Sequence, residues 1–195
     1  TGLHLGLGVR TVATSRNFTQ GSLAQSNNNL DVAINGNGFF QVTMPDGTAG
    51  YTRDGSFQLD SQGRMVTSSG LPVANGITVP ANATGISIST DGIVSATVPG
   101  TTAPQQIGTL AMASFINSAG LEPVGQNLFK ESAASGQPQQ GTPGTNGLGI
   151  IRQGFLETSN VNVVEELVSM IQTQRAYEMN SKAIQTSDQM LAKLA

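Results

Sequence analysis

Asn162-Val-Val-Glu-Glu-Leu-Val-Ser-Met-Ile-Gln-Thr-Gln-Arg-Ala-Tyr-Glu-Met-Asn-Ser-Lys-Ala-Ile-Gln-Thr-Ser-Asp-Gln-Met-Leu-Ala-Lys-Leu-Ala195 reads as one long amphipathic helix on a chain otherwise written in short strands and turns. Val163, Met170, Tyr177, Ile184 and Leu191 recur every seven residues, which lays a single apolar seam along a helix of coiled-coil period. The companion line Leu167, Gln174, Ser181, Asp188 turns polar after its first member, so the pattern does not describe one simple two-stranded partner. At 1.5 Å per residue the helix extends roughly 50 Å, far longer than a small β-domain covers. The seam therefore predicts packing against other chains. Asn162 followed by Glu165 resembles a capping box with Asn in the Ser/Thr position, and Glu165 with Glu166 suits the positive end of the helix dipole. Glu178 and Lys182 are spaced as an i,i+4 pair in the favourable order.

Upstream, the apolar period changes from helical to short runs cut by turn residues. From Leu30 to about Leu128 the pairs Asn35-Gly36, Asn37-Gly38, Asp46-Gly47, Asp54-Gly55, Asn75-Gly76 and Asp91-Gly92 punctuate strand-like runs, each pair tolerating the positive φ of hairpin turns. This predicts an antiparallel meander with a shallow core. Leu110 to Ile116 is its densest apolar run and is expected to be a central strand. The fold class expected is thus mainly β with a long C-terminal helix. Residues 1–29, with alternating Leu3, Leu5, Leu7 and Val9 among Gly, Asn and Ser, read as an extended connector. Residues 30–156 read as a β-rich outer domain with an exposed loop over 132–149, a stretch without Val, Ile or aromatic residues. Residues 157–195 form the assembly helix.

Composition excludes several functions. The 195 residues are 37% hydrophobic, enough for a core, but only 11% charged against about 25% in ordinary soluble domains. A net charge of -3 supplies no basic face for phosphates, so nucleic-acid binding is not expected. No run approaches the roughly 18 apolar residues of a membrane helix. Zero cysteines remove disulfides, thiolate metal sites and thiol nucleophiles together. Thr1 begins neither a signal peptide nor a translated chain, and a missing N-terminal segment is expected.

Few residues remain for chemistry. His4 is the single histidine and has no acid beside it in sequence, which argues against a catalytic triad or a two-histidine metal site. Asp54 and Asp60 could be imagined as a glycosidase acid pair, yet both sit at turn positions where Asp bonds its own backbone. Asp54 to Gly63 lacks the order of a calcium loop and its closing glutamate. Gly36 and Gly38 precede a strand and are not a dinucleotide fingerprint. No catalytic, cofactor or metal residues are expected. The expected site is the seam itself: Val163, Leu167, Met170, Tyr177, Ile184 and Leu191.

The stretch Glu157 to Leu191 resembles the C-terminal motif of bacterial flagellar rod and hook proteins. Leu30-Asp-Val-Ala-Ile-Asn-Gly-Asn-Gly-Phe-Phe-Gln-Val42 and Tyr51-Thr-Arg-Asp-Gly-Ser-Phe-Gln-Leu-Asp60 resemble the same family's signature at the start of its β-domain. The likeness covers nearly the whole chain and is nearest the distal-rod members, as Val9-Arg10 through Gly21-Ser22-Leu23 suggests. It implies an inner layer of N- and C-terminal helices under an outer β-domain, the N-terminal helix lying before residue 1. It also implies export through the flagellar apparatus, assembly with other copies into a helical tube, neighbouring rod and hook proteins, enclosing basal-body rings, and a role in transmitting torque across the periplasm. A proximal-rod or hook subunit is the nearest alternative. A carbohydrate-binding adhesin module would need exposed aromatics, and a wall-cleaving glycosidase would need a carboxylate pair in a cleft.

Overall fold

The computed structural model describes residues 16–101 and 103–194, with the side chains of Leu191, Ala192 and Leu194 outside that description; His4 and the Leu3 to Val9 alternation fall outside it as well. Fifteen strands and a short 3-10 helix at Ser118–Gly120 precede one α-helix among the described residues. The strands are β1 (Leu23–Gln25), β2 (Val32–Asn35), β3 (Phe39–Thr43), β4 (Ala49–Thr52), β5 (Phe57–Leu59), β6 (Met65–Thr67), β7 (Gly85–Ile88), β8 (Ile93–Thr97), β9 (Gln105–Thr109), β10 (Met112–Ser114), β11 (Glu122–Gly125), β12 (Leu128–Lys130), β13 (Gln139–Gly141), β14 (Ile150–Gln153) and β15 (Phe155–Glu157), followed by α1 (Val163–Leu194). The chain is therefore mainly antiparallel β with a single C-terminal helix. It divides into two compact units between Thr158 and Ser159.

A six-stranded sheet of order β11-β12-β4-β3-β10-β13 organises the first unit. Because successive side chains of a strand point to opposite faces, Phe39 and Phe40 enter two different cores. On one side Phe40 and Met112 join Val32, Ile34, Phe57, Met65, Ile77, Val94 and Leu110 in the larger core. On the other, Phe39, Tyr51 and Phe115 pack edge to face, with ring centroids 5.9 Å apart for Phe39–Phe115 and 4.8 Å for Tyr51–Phe115. Edge-on packing places the positive ring rim against the negative ring face.

Several sequence expectations change. The strand order is not a simple meander: β10 inserts beside β3 and stands one strand from the sheet edge, so the dense run Leu110 to Ile116 is not central. Asp46-Gly47 and Asp91-Gly92 do connect hairpins, with Gly47 at φ 78° and Gly92 at φ 80°. Asn35-Gly36 does not, because β2 pairs with β14 rather than β3. Nor does Asp54-Gly55. Gly55 is required there for space, since a Cβ would stand 1.6 Å from the Val32 carbonyl oxygen. Within 132–149, expected as an exposed loop, Gln139 to Gly141 form edge strand β13 against β10, while Ser135 and Leu148 are buried. Backbone ladder bonds need no apolar side chains, so this strand carried no hydrophobic signal.

The described part of the expected connector is likewise fastened to the first unit. The Phe18 ring lies 5.8 Å from that of Phe39 and 5.3 Å from that of Phe129. The Gln20 side chain donates to the Ile34 carbonyl and accepts from the Gly36 amide, both at 3.0 Å. The Asn-rich run is an ordered loop around buried Asp31, whose carboxylate accepts from Ser26 Oγ and Asn28 Nδ2.

Candidate assembly surface

Asn162 caps the first turn of α1, but through the Val164 amide rather than the reciprocal bonds with Glu165 that a capping box would make. Asn162 Oδ1 accepts the Val164 amide at 3.1 Å, satisfying a donor that the helix leaves open at its start, and the Asn162 carbonyl accepts the Glu166 amide at 3.1 Å as the first intrahelical bond. Glu165 and Glu166 stand in the acidic first turn and Lys193 in the basic last one, the signs that the helix dipole favours. Thirty-two residues give a rod of about 48 Å. Glu178 and Lys182 form no ion pair among the described residues; fully exposed partners gain too little to hold two long side chains in one geometry.

What distinguishes α1 is the apolar surface that it carries uncovered. Tyr177 is 77% exposed, Ile184 64%, and Val163, Leu167 and Met170 are each more than half exposed. The Leu191 side chain lies outside the described ones. The structure thus places five of the six expected residues on open helix surface. In a straight helix a seven-residue line slips backward by about 20° per step, so the seam from Val163 to Ile184 winds gently around the rod.

The heptad template missed part of this surface. Val164, Val168 and Ile171 are also exposed and fill the side of the first two turns beyond Leu167. At about 100° per residue, Met170, Val163, Leu167, Ile171, Val164 and Val168 span an arc of about 160°. Such a width exceeds a single coiled-coil stripe. Met179 lies nearly opposite the Val163 line and Met190 about 100° from it, and they too are exposed. A search for i, i+3, i+4 and i+7 spacings, rather than sevens alone, would have found the first group.

Elsewhere the groups considered for chemistry are engaged locally. Asp54 Oδ1 accepts the amide and hydroxyl of Ser56 at 3.0 and 2.6 Å. Asp60 closes the β5–β6 turn by accepting the amides of Gln62 and Arg64 and pairing with Arg64 Nε, each at 2.8 Å. These bonds, above all that from the Arg64 amide, hold the Asp60 carboxyl below the usual carboxylate range. Among the described residues no cluster of three His, Cys, Asp or Glu side chains is arranged to hold a metal ion, and no helix is long and apolar enough to cross a membrane.

Comparison with known proteins accounts for both units. Residues 33–96 match the family described as the flagellar hook protein FlgE/F/G D1 domain, and residues 152–195 match the flagellar basal body rod FlgEFG protein C-terminal. The flagellar basal-body rod protein FlgG of Buchnera aphidicola from Acyrthosiphon pisum is 57% identical over 195 residues, covering 100% of this chain and 75% of the relative. Proteins of the same name from Borreliella burgdorferi and Caulobacter vibrioides are 50% and 44% identical, over 97% and 98% of the chain and 72% and 73% of their own lengths.

Proposed function

This chain belongs to the flagellar hook and rod family of FlgE, FlgF and FlgG proteins, and from that premise we propose that it is a structural subunit of the distal rod of the bacterial flagellum. The observation that carries this reading is likeness to FlgG-named proteins over the full chain rather than over one domain. Many copies would assemble into a helical tube that carries torque across the periplasm, with rod and hook proteins as axial neighbours. Enclosing rings and the export apparatus would be its further contacts. The work asked of it is mechanical.

The open surface of α1 supports a role in that assembly. Burying one side chain the size of Ile184 is worth about 1.5 to 3 kcal/mol, and a polymer repeats the gain at each subunit. The scarcity of charge fits the same use, since an unpaired charge buried between subunits is costly. The seam residues Val163, Leu167, Met170, Tyr177, Ile184 and Leu191 are assigned to the intersubunit core, joined by Val164, Val168 and Ile171 in the first two turns.

The test is complementation. In a strain lacking its own copy, the full-length protein should restore rods visible by electron microscopy and swimming. Basal bodies that stop short of the distal rod despite normal expression would refute the assignment.

A further inference from the structure

We propose that Arg53 and Glu157 form a load-bearing clasp that fixes the paired incoming and outgoing arms to the β-domain; the mechanical part of this inference rests on the rod reading above. Strands β1 and β15 pair as a two-stranded ribbon from Leu23↔Glu157 to Gln25↔Phe155, extended by a bond of 2.8 Å from the Thr158 amide to the Ser22 carbonyl. Through this ribbon the segment that carries Phe18 passes into β2, and β15 leads out of the first unit.

Glu157 uses both carboxylate oxygens at that junction. Oε1 accepts the Gly21 amide at 2.9 Å, from the incoming arm. Oε2 accepts Arg53 Nε at 2.8 Å. The guanidinium then reaches the Gly38 carbonyl through Nη1, also at 2.8 Å. Gly38 lies just before β3 and Arg53 just after β4, so the fork ties the two strands together at the open end of the central hairpin, and one carboxylate spans both arms.

Three features make this a clasp rather than surface decoration. The two side chains are only 21% and 13% exposed, so water screens the pair weakly. Arg53 Nη2 is buried without a partner, so loss of Glu157 would leave the cation only the Gly38 carbonyl. The contact is also a fork: Lys, with a point charge, cannot span the distance between the Glu157 carboxylate and the Gly38 carbonyl in the same way. Bonds loaded in parallel across two arms resist shear better than a chain crossing at one point.

The experiment compares Glu157→Gln and Arg53→Lys in the full-length protein, by amide hydrogen exchange and by swimming in media of rising viscosity. Exchange at Gly21 and Thr158 should accelerate at least tenfold while Phe40 and Met112 keep wild-type protection. Cells should build rods yet lose at least half of their wild-type speed at high viscosity. Unchanged exchange at the ribbon overturns the clasp, and so does loss of protection throughout the core in both variants, which would make the pair a general folding contact. Wild-type swimming under load overturns its mechanical role. Failure of the wild-type protein to restore rods would instead strike the reading beneath it, leaving the exchange arm to decide the clasp.

Discussion

Gln153 and Ile86 are 67 residues apart in the chain, yet Nε2 of Gln153 donates to the Ile86 carbonyl at 3.0 Å. The same amide nitrogen reaches the Asn29 carbonyl at 2.7 Å, and Oε1 accepts the Ile88 amide at 3.1 Å. A side-chain amide thereby does for the edge of β7 what a neighbouring backbone would do. It joins the β7-β8-β9 sheet to β14, and through β14 to β2.

Replacing Gln153 should therefore cost more than a surface glutamine normally does. Gln153→Ala leaves the Ile88 amide and Ile86 carbonyl without protein partners, a loss of about 2 kcal/mol. Gln153→Glu should be worse at neutral pH, because a carboxylate faces two carbonyls and has no proton to donate. Chemical denaturation of the two variants should give midpoints in the order wild type, Ala, Glu; a Glu variant equal to wild type would show that the amide is not bridging the sheets.

A second expectation concerns Gly55. Its own carbonyl accepts the Val32 amide at 3.0 Å, and its Cα faces the Val32 carbonyl so closely that a Cβ has no room. Gly55→Ala should displace β2 from the larger core and destabilise the first unit by more than about 3 kcal/mol, in the range of severe packing defects. Gly85, at the start of β7, has open space around its missing Cβ and serves as the control. Thermal melting should separate the two alanine variants widely.

These positions show what the chain discloses in one dimension and what it hides. The helix was legible because Val163 to Leu191 repeat at a helical period, and hairpins such as β7–β8 were legible because Asp91-Gly92 separates two apolar runs. Sheet order was not, since β10 reaches β3 by a long-range pairing that leaves no local mark. Gly55 was seen as a turn residue when its role is close approach, and an Asp-Gly pair looks the same in both cases. The Arg53–Glu157 junction joins residues 104 apart and is invisible to any window read along the sequence.

Acid should loosen the β5–β6 turn before it unfolds the cores. The Asp60 carboxyl has a folded-state pKa below its ordinary value, first because the Arg64 amide donates to it. A depressed carboxylate contributes stability that is present above the unfolded pKa and lost as pH falls through the folded one. Local amide exchange at Gln62 and Arg64, measured down the acid limb below about pH 4, should rise in the wild type. In Asp60→Asn that limb should be flat, with faster exchange already at neutral pH. An identical acid limb in both proteins would remove Asp60 from the account.

The helix offers the sharpest test of how copies meet. If the Val163-to-Ile184 seam is the intersubunit core, Ile184→Asp places a charge in a buried contact, where it costs several kcal/mol and leaves no compensating partner. The first unit should still melt as wild type does, because Ile184 lies in the second. Rods and swimming should be lost. Gln174→Ala, on the polar companion line, should be tolerated. Val168→Asp distinguishes the broader surface from the single seam: about 140° around the helix from Val163, it should be harmless if one narrow seam meets one partner and disruptive if the first two turns are enclosed. The exposed arc of Val163, Leu167, Ile171, Val164 and Val168 predicts disruption. Normal assembly of Ile184→Asp together with failure of Gln174→Ala would require the helix to be turned in the tube by about 50°, the angle between the Val163 and Leu167 lines at a 3.5-residue period.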